Sequence, residues 1–501
     1  MAEKFIYEET SFVQKNRFRT LQPEAFEIPD FSTIKDQLPD PVLPEFPEWL
    51  AIYWRSWEAV WRVGRLPNLK NGLLRPYLDS GYNQNMFMWD TSFMSQLAIY
   101  GRNAFDFSLA FDNFYAKQHA DGFICREISM QTGCDYFAPF DPNSTGPNIM
   151  PWAEWRLFRQ TGDVQRLAKV FWPLVAYHRW CQNNRTWPSG LYWATGMSSA
   201  MDNQPRVPDS NKHHRHWTWV DASFQAAVSV SVLEQMALVL EENKLAEKLS
   251  HEKTALVSQI NAQLWSDKSE FFLDKDANGR FSDVKTVGAF WGLQEKSLIP
   301  KERRHSFIQH LRDSWSFGVH HPVPTQSSDS EGYNSLTGNY WRGAVWPTAT
   351  YMVLKGLRQS KQHKLVHKIA RKHLEHVTAV FQETGTLWQN YAPEQTAPGE
   401  PSKADFWGVS AITPIAILLE DVIGIHVDWP QSRVYWDRRL KTNGAYGVKN
   451  YPLGVDGILD LVGDEEKLVV TTDTPFTLVV RDSTLNMQAA VSPGTTEIPL
   501  D

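Results

Sequence analysis

Residues 221–242 read DASFQAAVSVSVLEQMALVLEE. Phe224, Val228, Val232, Met236 and Val239 recur three or four positions apart, which lays them along one stripe of a helix. Asp221 stands where a helix N-cap belongs. Comparable patterns recur at 47–63, 91–101, 103–118, 151–161, 164–183, 244–265, 286–296, 301–313, 343–358, 361–382 and 408–423, and the first of these opens on a proline, Pro47, in its first turn. Twelve helices pairing as six hairpins close into a toroid, so the expected fold is mainly α, an (α/α)6 barrel.

Beyond Ile425 the pattern changes. KLVVTTDTPFTLVVRDS (467–483) and MQAAVSPGTTEIPL (487–500) alternate apolar and polar residues between turn signals, as antiparallel strands do. The first 45 residues, by contrast, are dotted with prolines and read as a surface strap. The expected organisation is a strap at 1–45 packing on the β module, a helical catalytic unit at 46–428 and a small C-terminal antiparallel β module at 429–501.

Composition narrows the function classes. The chain has 501 residues, 42% hydrophobic and 21% charged, and a formal charge of −7. That is a globular balance, without the basic surface that nucleic acid or an anionic membrane requires. Three cysteines form no disulfide framework and lack zinc-ligand spacing, as in a chain from a reducing compartment. MAEKFIYEET lacks the apolar run of a signal peptide, so a cytoplasmic location is expected. No stretch approaches 18 uninterrupted apolar residues. Twenty-two tryptophans are the compositional anomaly. Tryptophan is a broad apolar plate with one polar handle, suited to a large core or to a wet groove.

The chemistry-bearing residues gather in loops at helix starts. MFMWDTSF holds Trp89 and Asp90; DGFICRE holds Arg126 and Glu127; MPWAEWR holds Trp152 and Glu154. GMSSAMDNQPR supplies Asp202, Asn203 and Arg206, HHRHWTWVD supplies Trp217, Trp219 and Asp221, GNYWRGAVWP supplies Trp341, Arg342 and Trp346, and TLWQNYAPE ends on Gln389, Asn390, Tyr391 and Glu394. Aromatic plates beside acids, amides and arginines are what a sugar site needs: a ring for the apolar sugar face and hydrogen-bonding groups for the hydroxyls. Each residue has a plainer reading. Asp90 can cap a helix starting at Thr91, Asp221 can cap its own helix, and Arg126 with Glu127 can be a surface ion pair. Recurrence at helix starts is the signal, because one end of a helical toroid collects such loops around a single cavity.

Other motifs carry less. DKDANG (274–279) begins like a calcium loop but has Lys285 at the twelfth position, and reads as a turn between strands. His213, His214 and His216 read as a solvated loop, not a metal site. Neither a phosphate-binding glycine loop nor a Gly-x-Ser-x-Gly elbow is present.

Over roughly residues 80–425 the sequence resembles the inverting (α/α)6-barrel α-glycosidases. The nearest group is glycoside hydrolase family 63 in its mannosylglycerate-hydrolase-like branch, with trehalases and processing α-glucosidases as relatives. The resemblance rests on FMWDTSF, FYAKQHADGFICRE, GMSSAMDNQPR, GNYWRGAVWP and LWQNYAPE followed by DFWG, in that order. It implies that Asp202 is the general acid, that Trp89 and Asp90 contact the sugar in the −1 subsite, and that Trp341, Arg342 and Trp346 line the same pocket. Arg126, Glu127, Trp152, Glu154, Asn203, Arg206 and Tyr391 are expected around them. The implied substrate is a small α-linked disaccharide, oligosaccharide or glycosyl acid, an α-glucoside or α-mannoside, cleaved with inversion and without metal or organic cofactor. For an acidic aglycone, Arg206, His214 and Arg215 are the candidate partners.

One position departs from the family. Its general base is a glutamate, and that position here is Gln389, whose amide cannot take a proton from water. Three explanations stand at this point. The chain is an engineered glutamate-to-glutamine form; or it is a sugar binder on a hydrolase scaffold; or another carboxylate serves, Glu394 first, then Asp405 or Glu331. An inverting phosphorylase, in which phosphate replaces the activated water, would also lack the base. Residues 386–407, rich in proline, glycine and charge, read as a loop able to close over substrate.

Overall fold

The computed structural model describes residues 5–209, 211–482 and 485–500. Its long helices are α1 (Pro47–Arg62), α2 (Met88–Ala98), α3 (Met150–Thr161), α4 (Val164–Asn184), α5 (Val220–Val239), α6 (Asn243–Gln263), α7 (Lys301–Gln309), α8 (Pro347–Gln359), α9 (His363–Thr384) and α10 (Thr413–Ile423), the last wound as a π-helix. The segment expected as a helix over 286–296 is a 3₁₀ helix, Val287–Leu293. Gly288 and Gly292 explain its close seat. A Cβ on Gly288 would lie 2.8 Å from Cβ of Asp221, and one on Gly292 would lie 2.8 Å from the Phe224 ring.

Helix α5 departs from the one-stripe expectation. It is buried on nearly every side up to Leu233, and of the five stripe residues only Val239, 39% exposed, reaches solvent. A helix apolar all round belongs inside a large core. It is also long and apolar enough to cross a membrane, yet here it is packed between α3, α6 and the 3₁₀ helix. Asp221 is not its N-cap. The helix starts at Val220, whose N–H donates to Asp274 Oδ1 at 2.8 Å, so the cap comes from a distant loop.

The helix expected at 103–118 is mostly turns, with one short helical stretch at Asp112–Ala116. Asp106 accepts from both the backbone and the hydroxyl of Ser108 (2.8 and 2.6 Å), a local turn that competes with the helix.

Six segments touch in cyclic order: α2 meets α3, α3 meets α5, α5 meets the 3₁₀ helix, that helix meets α8, α8 meets α10, and α10 returns to α2, with the short helical turn Trp407–Ser410 also touching α8 and α2. Helices α4, α6 and α9 flank them, α4 beside α3 and α5, α6 beside α5, and α9 beside α8 and α10, while α1 packs on α10.

The C-terminal part holds two sheets. Strands β1 (Asp40–Val42), β4 (Tyr446–Leu453), β5 (Gly457–Gly463), β6 (Lys467–Thr472) and β9 (Gly494–Pro499) form one, in the order β1-β4-β5-β6-β9. Strands β2 (Ile425–Asp428), β3 (Arg433–Asp437), β7 (Phe476–Arg481) and β8 (Asn486–Val491) form the other, in the order β8-β7-β3-β2. The module is not wholly antiparallel, because β3 and β7 run parallel with Val434 opposite Leu478. The strap supplies an edge strand, pairing Pro41 with Val448. Position 483, the last of one of the stretches read as strands, lies outside the described residues, as does 484.

Beneath this junction lies a buried polar knot. Glu420 of α10 accepts from Tyr100 (2.8 Å), Tyr351 (3.0 Å), Lys355 (2.7 Å) and Arg156 (3.0 Å). Arg358 extends it across to the sheet, reaching Asp421 at 2.5 Å and Asp437 at 2.9 Å. Buried charges persist because every one has a partner.

Candidate active site

A two-stranded antiparallel ladder, Asn85–Phe87 against Glu127–Ser129, brings the first two motifs together. Phe87 pairs with Glu127, and the Met88 N–H donates to the Arg126 carbonyl at 2.8 Å, so α2 starts beside residue 126. Trp89 and Asp90 occupy its first turn. Asp90 is therefore inside the helix and does not cap one beginning at Thr91. Glu127 is buried, accepts from Asn85 (2.8 Å) and Asn83 (3.3 Å), and pairs with Arg126 at 3.3 Å. Arg126 also donates through Nε to the Asn143 carbonyl at 2.8 Å and lies over Phe137. The pair is not on the surface.

Asp202 joins this group. Burial pushes its carboxyl up to about 6, nearby Glu127 adds to the rise, and Arg126 opposes it. Burial likewise raises Asp90, to about 7, with a hydrogen bond from Ser80 opposing and the charges of Glu127 and Asp202 adding. Three carboxyl groups thus share one guanidinium in a poorly solvated place. Under those conditions the neutral acid is favoured at Asp90 and Asp202.

Asn203 locks the Asp202 loop to the GNYWRG loop. Its amide donates to the Asn339 carbonyl (2.9 Å), its Oδ1 accepts from the Trp341 N–H (2.9 Å), and its own carbonyl accepts from Arg342 Nε (3.1 Å). The loop it grips has Asn339 and Tyr340 at φ 35 and 67, in the left-handed region that side chains disfavour. Asn203 and Arg342 therefore hold the loop in place. Trp341 and Trp346 stack face to face, centroids 3.9 Å apart and planes 10° apart, and the Trp346 indole donates to the Tyr340 carbonyl at 3.2 Å. Trp89 and Trp152 are both edge-on to Trp291, at 6.4 and 5.3 Å.

The loop of Gln389 reaches the same group through intermediaries. The Gln389 N–H donates to the Lys403 carbonyl at 2.8 Å. The Lys403 ammonium donates to the Tyr82 carbonyl and lies 4.5 Å over the Tyr82 ring. Tyr82 hydrogen-bonds Tyr340, whose hydroxyl is pushed up by burial and by the charges of Asp202 and Asp90. Gln389 is only 5% exposed. Tyr391 is buried, pairs with Val345 through two backbone hydrogen bonds, and accepts at its hydroxyl from the Trp388 N–H (3.2 Å).

Several expected residues stand elsewhere. Arg206 is 1% exposed and fully engaged, with Asp274 (2.6 and 2.5 Å) and Asp221 (2.6 and 2.9 Å) around it and Trp219 beneath it. Glu154 faces α4, accepting from Arg166 (2.6 and 3.2 Å) and Tyr115 (3.0 Å). Both are buried ion-pair residues, and neither contacts the acidic group. The expected solvated histidine loop is also partly interior, for His214 is buried against Trp193 and Trp187, while Arg215 pairs with Asp209 at 3.6 Å. Glu394 is exposed, accepting from Tyr333 (3.2 Å) and the His320 N–H (3.4 Å). Asp405 accepts from Thr386 (2.7 Å) and Trp407 (3.2 Å), and Glu331 is exposed. Sequence reasoning missed Tyr82, Tyr340 and Lys403. Tyr340 lay within a quoted motif; the other two carried no signal, since only the fold sets them beside Asp202 and Gln389.

The family model for the mannosylglycerate hydrolase MGH1-like glycoside hydrolase domain matches residues 85–407. The chain belongs to this family. The match to the MGH1-like domain begins at the strand that pairs with Glu127 and ends at Trp407, so it encloses every residue of the acidic group and the Gln389 loop. An uncharacterized protein of Borreliella burgdorferi is 24% identical over 367 residues, 71% of this chain and 75% of its own. A probable mannosyl-oligosaccharide glucosidase of Schizosaccharomyces pombe is 22% identical over 53% of this chain, which spans about a third (33%) of that protein. Among solved structures, the GH63 mannosylglycerate hydrolase of Thermus thermophilus in complex with glucose superimposes with a TM-score of 0.57 at 20% identity, covering 73% of this chain and 99% of that one. The fold and the glycoside hydrolase family are thereby established for this MGH1-like chain.

Proposed function

We propose that the chain is built as an exo-acting, inverting α-glycosidase in which Asp202 protonates the leaving oxygen and position 389 faces the attacking water. The observation that carries this reading is the half-buried Asp202, its carboxyl poorly solvated beside Asp90, Glu127 and Arg126. A carboxyl raised to about 6 stays protonated at mildly acidic pH and keeps a protonated fraction towards neutrality, as a general acid needs. Inversion needs a second group about 6.5–9.5 Å across from the acid, with a water between them. The largely buried Gln389 amide is suited to hydrogen-bond such a water but not to deprotonate it. Glutamate there would do both. Glu394 is less suited to replace it, being exposed and engaged with Tyr333 and His320.

The cyclic contacts of six helical segments support an (α/α)6 toroid whose loops surround the site. The division expected at 46–428 and 429–501 then separates a catalytic unit from a β brace, with the first strand of the brace, β2, starting earlier at Ile425. Trp89 and the Trp341–Trp346 slab are the proposed sugar platform, with Asp90 on the hydroxyls. The substrate would be a terminal α-glucoside or α-mannoside of a small sugar or glycosyl acid. Proton transfers by side chains suffice for this chemistry. The three free cysteines, Cys125, Cys134 and Cys181, suit the reducing, cytoplasmic location expected from the sequence.

A second reading, a sugar-binding protein that does not hydrolyse, draws on Gln389 itself. One experiment separates the two: α-glucosides and α-mannosides are offered to this chain and to its Gln389→Glu form, with and without phosphate, and NMR follows the anomer released. Turnover by the glutamate form alone, releasing the β-anomer, is the expected result. Cleavage by the chain as it stands would remove position 389 from the base role. Phosphate-dependent turnover would make it a phosphorylase, and binding without cleavage in both forms would favour the binding protein.

A further inference from the structure

A stack of histidines lies beneath the loop that carries Gln389. His321 and His373 are fully buried, and His376, on the next turn of α9, is nearly so. The rings of His321 and His376 stack at 3.8 Å and 21°, and those of His321 and His373 at 5.0 Å and 27°. Three ring contacts form a chain: Thr413 Oγ1 to His373 Nε2 at 2.9 Å, His373 Nδ1 to His321 Nε2 at 2.8 Å, and His321 Nδ1 to the Ala392 carbonyl at 3.3 Å.

The chain has a direction. A carbonyl only accepts, so His321 carries its proton on Nδ1, and in a neutral ring its Nε2 must then accept. His373 therefore donates from Nδ1, which leaves its Nε2 to accept from the Thr413 hydroxyl. Every hydrogen points towards Ala392, three residues beyond Gln389. The His321 N–H also donates to the Pro393 carbonyl at 2.8 Å, and its ring lies edge-on to Tyr391, whose backbone is paired with Val345. The other groups facing the stack are His320, Lys372 and Glu394. Lys372 donates to the His320 carbonyl at 3.5 Å, and Glu394 accepts from the His320 N–H. Burial holds all three rings neutral, His373 down to about 3 and His376 to about 4, with the neighbouring imidazoles adding to the effect. This keeps the donor–acceptor order intact.

We propose that His321 and His373 are positioning residues, which hold the 389–398 loop against Val345 through this directed chain and so set where the side chain at position 389 stands. The inference rests on the reading of position 389 given above, but its main test does not.

Asparagine places an amide N–H where histidine has Nδ1, whereas glutamine, closer to histidine in volume, reaches the Nε2 position. His321→Asn keeps the donor to Ala392 and gives up only the acceptor for His373, so positioning predicts that it preserves the loop better than His321→Gln; a packing role predicts the reverse. Amide hydrogen exchange on the full chain reads this directly. His321→Gln should speed exchange across 389–399 at least tenfold, while His321→Asn stays within about threefold of the parent. His373→Asn and His373→Gln should repeat the contrast, since His373 also donates from Nδ1, and they cover a His321 variant that fails to fold. In the Gln389→Glu background, His321→Gln should lower kcat tenfold or more with KM within about twofold. Equal exchange in the Asn and Gln variants, or greater exchange with Asn, would overturn the proposal. A Gln389→Glu form without any turnover would sink the hydrolase reading alone, because the exchange comparison still decides this one.

Discussion

At the scale of single residues, Asp202 and Asp90 owe their chemistry to burial beside like charges, and this gives two tests. In the Gln389→Glu background, Asp202→Asn should lower turnover by orders of magnitude and leave sugar affinity nearly unchanged, as measured by initial rates and by calorimetry. Loss of folding would instead mark Asp202 as structural. The second test concerns pH. An unfolded aspartate titrates near 3.9, whereas Asp90 is raised to about 7 and Asp202 to about 6 in the fold. Between these values the unfolded chain gives up protons that the folded chain keeps. Stability therefore falls as pH rises from about 4 and levels off near pH 8, above both folded values. Asp90→Asn removes one such group and should stabilise the protein by about 2 kcal/mol at pH 8, with little effect at pH 4. Chemical denaturation at the two pH values reads the difference. The identities of the acidic cluster were legible in the sequence because their loops carry aromatic–acid pairs. Their mutual proximity was not, since it depends on Phe87 pairing with Glu127 and on Asn203 gripping the 339–342 loop.

At the scale of elements, the helical segments were legible because burial of one face leaves a period of three to four in the sequence. The reading failed where that cause was absent. Helix α5 is surrounded, so its apolar residues do not mark a single face, and the 103–118 segment is broken by the Asp106 turn. Two substitutions test the elements. Gly288→Ala places a methyl 2.8 Å from Cβ of Asp221 and should cost about 1–3 kcal/mol by pushing the 3₁₀ helix off α5. Arg206→Ala strands Asp221 and Asp274 in the core without their cation and should cost about 3–5 kcal/mol. Both are read from denaturation midpoints. If Arg206→Ala left stability unchanged and weakened sugar binding instead, the arginine would belong to the site after all.

At the scale of the molecule, the C-terminal sheets are joined to the helices by charge as well as by apolar packing. Arg358 of α8 spans from Asp421 to Asp437, Tyr451 packs on Tyr100 at 5.5 Å, and the Trp436 indole donates to the Ile423 carbonyl at 3.0 Å. A chain ended after residue 428 would leave Arg358 without Asp437 and expose the apolar surface beneath Tyr451 and Trp436. It should be insoluble or unfolded when expressed, and a soluble, cooperatively folding fragment would show that the sheets are dispensable. By itself the sequence determined what local chemistry records: helices by periodicity, strands by alternation, and the glycosidase family by ordered motifs, including the amide at 389. Tertiary structure alone decided which polar residues face one another. It sent Arg206 and Glu154 into ion-pair clusters, set Tyr82 and Lys403 between Gln389 and Asp202, ran β3 parallel to β7, and aligned the histidines under Ala392. The physical reason is that burial and pairing of a side chain depend on neighbours distant in the chain, and a window of local sequence carries no trace of them.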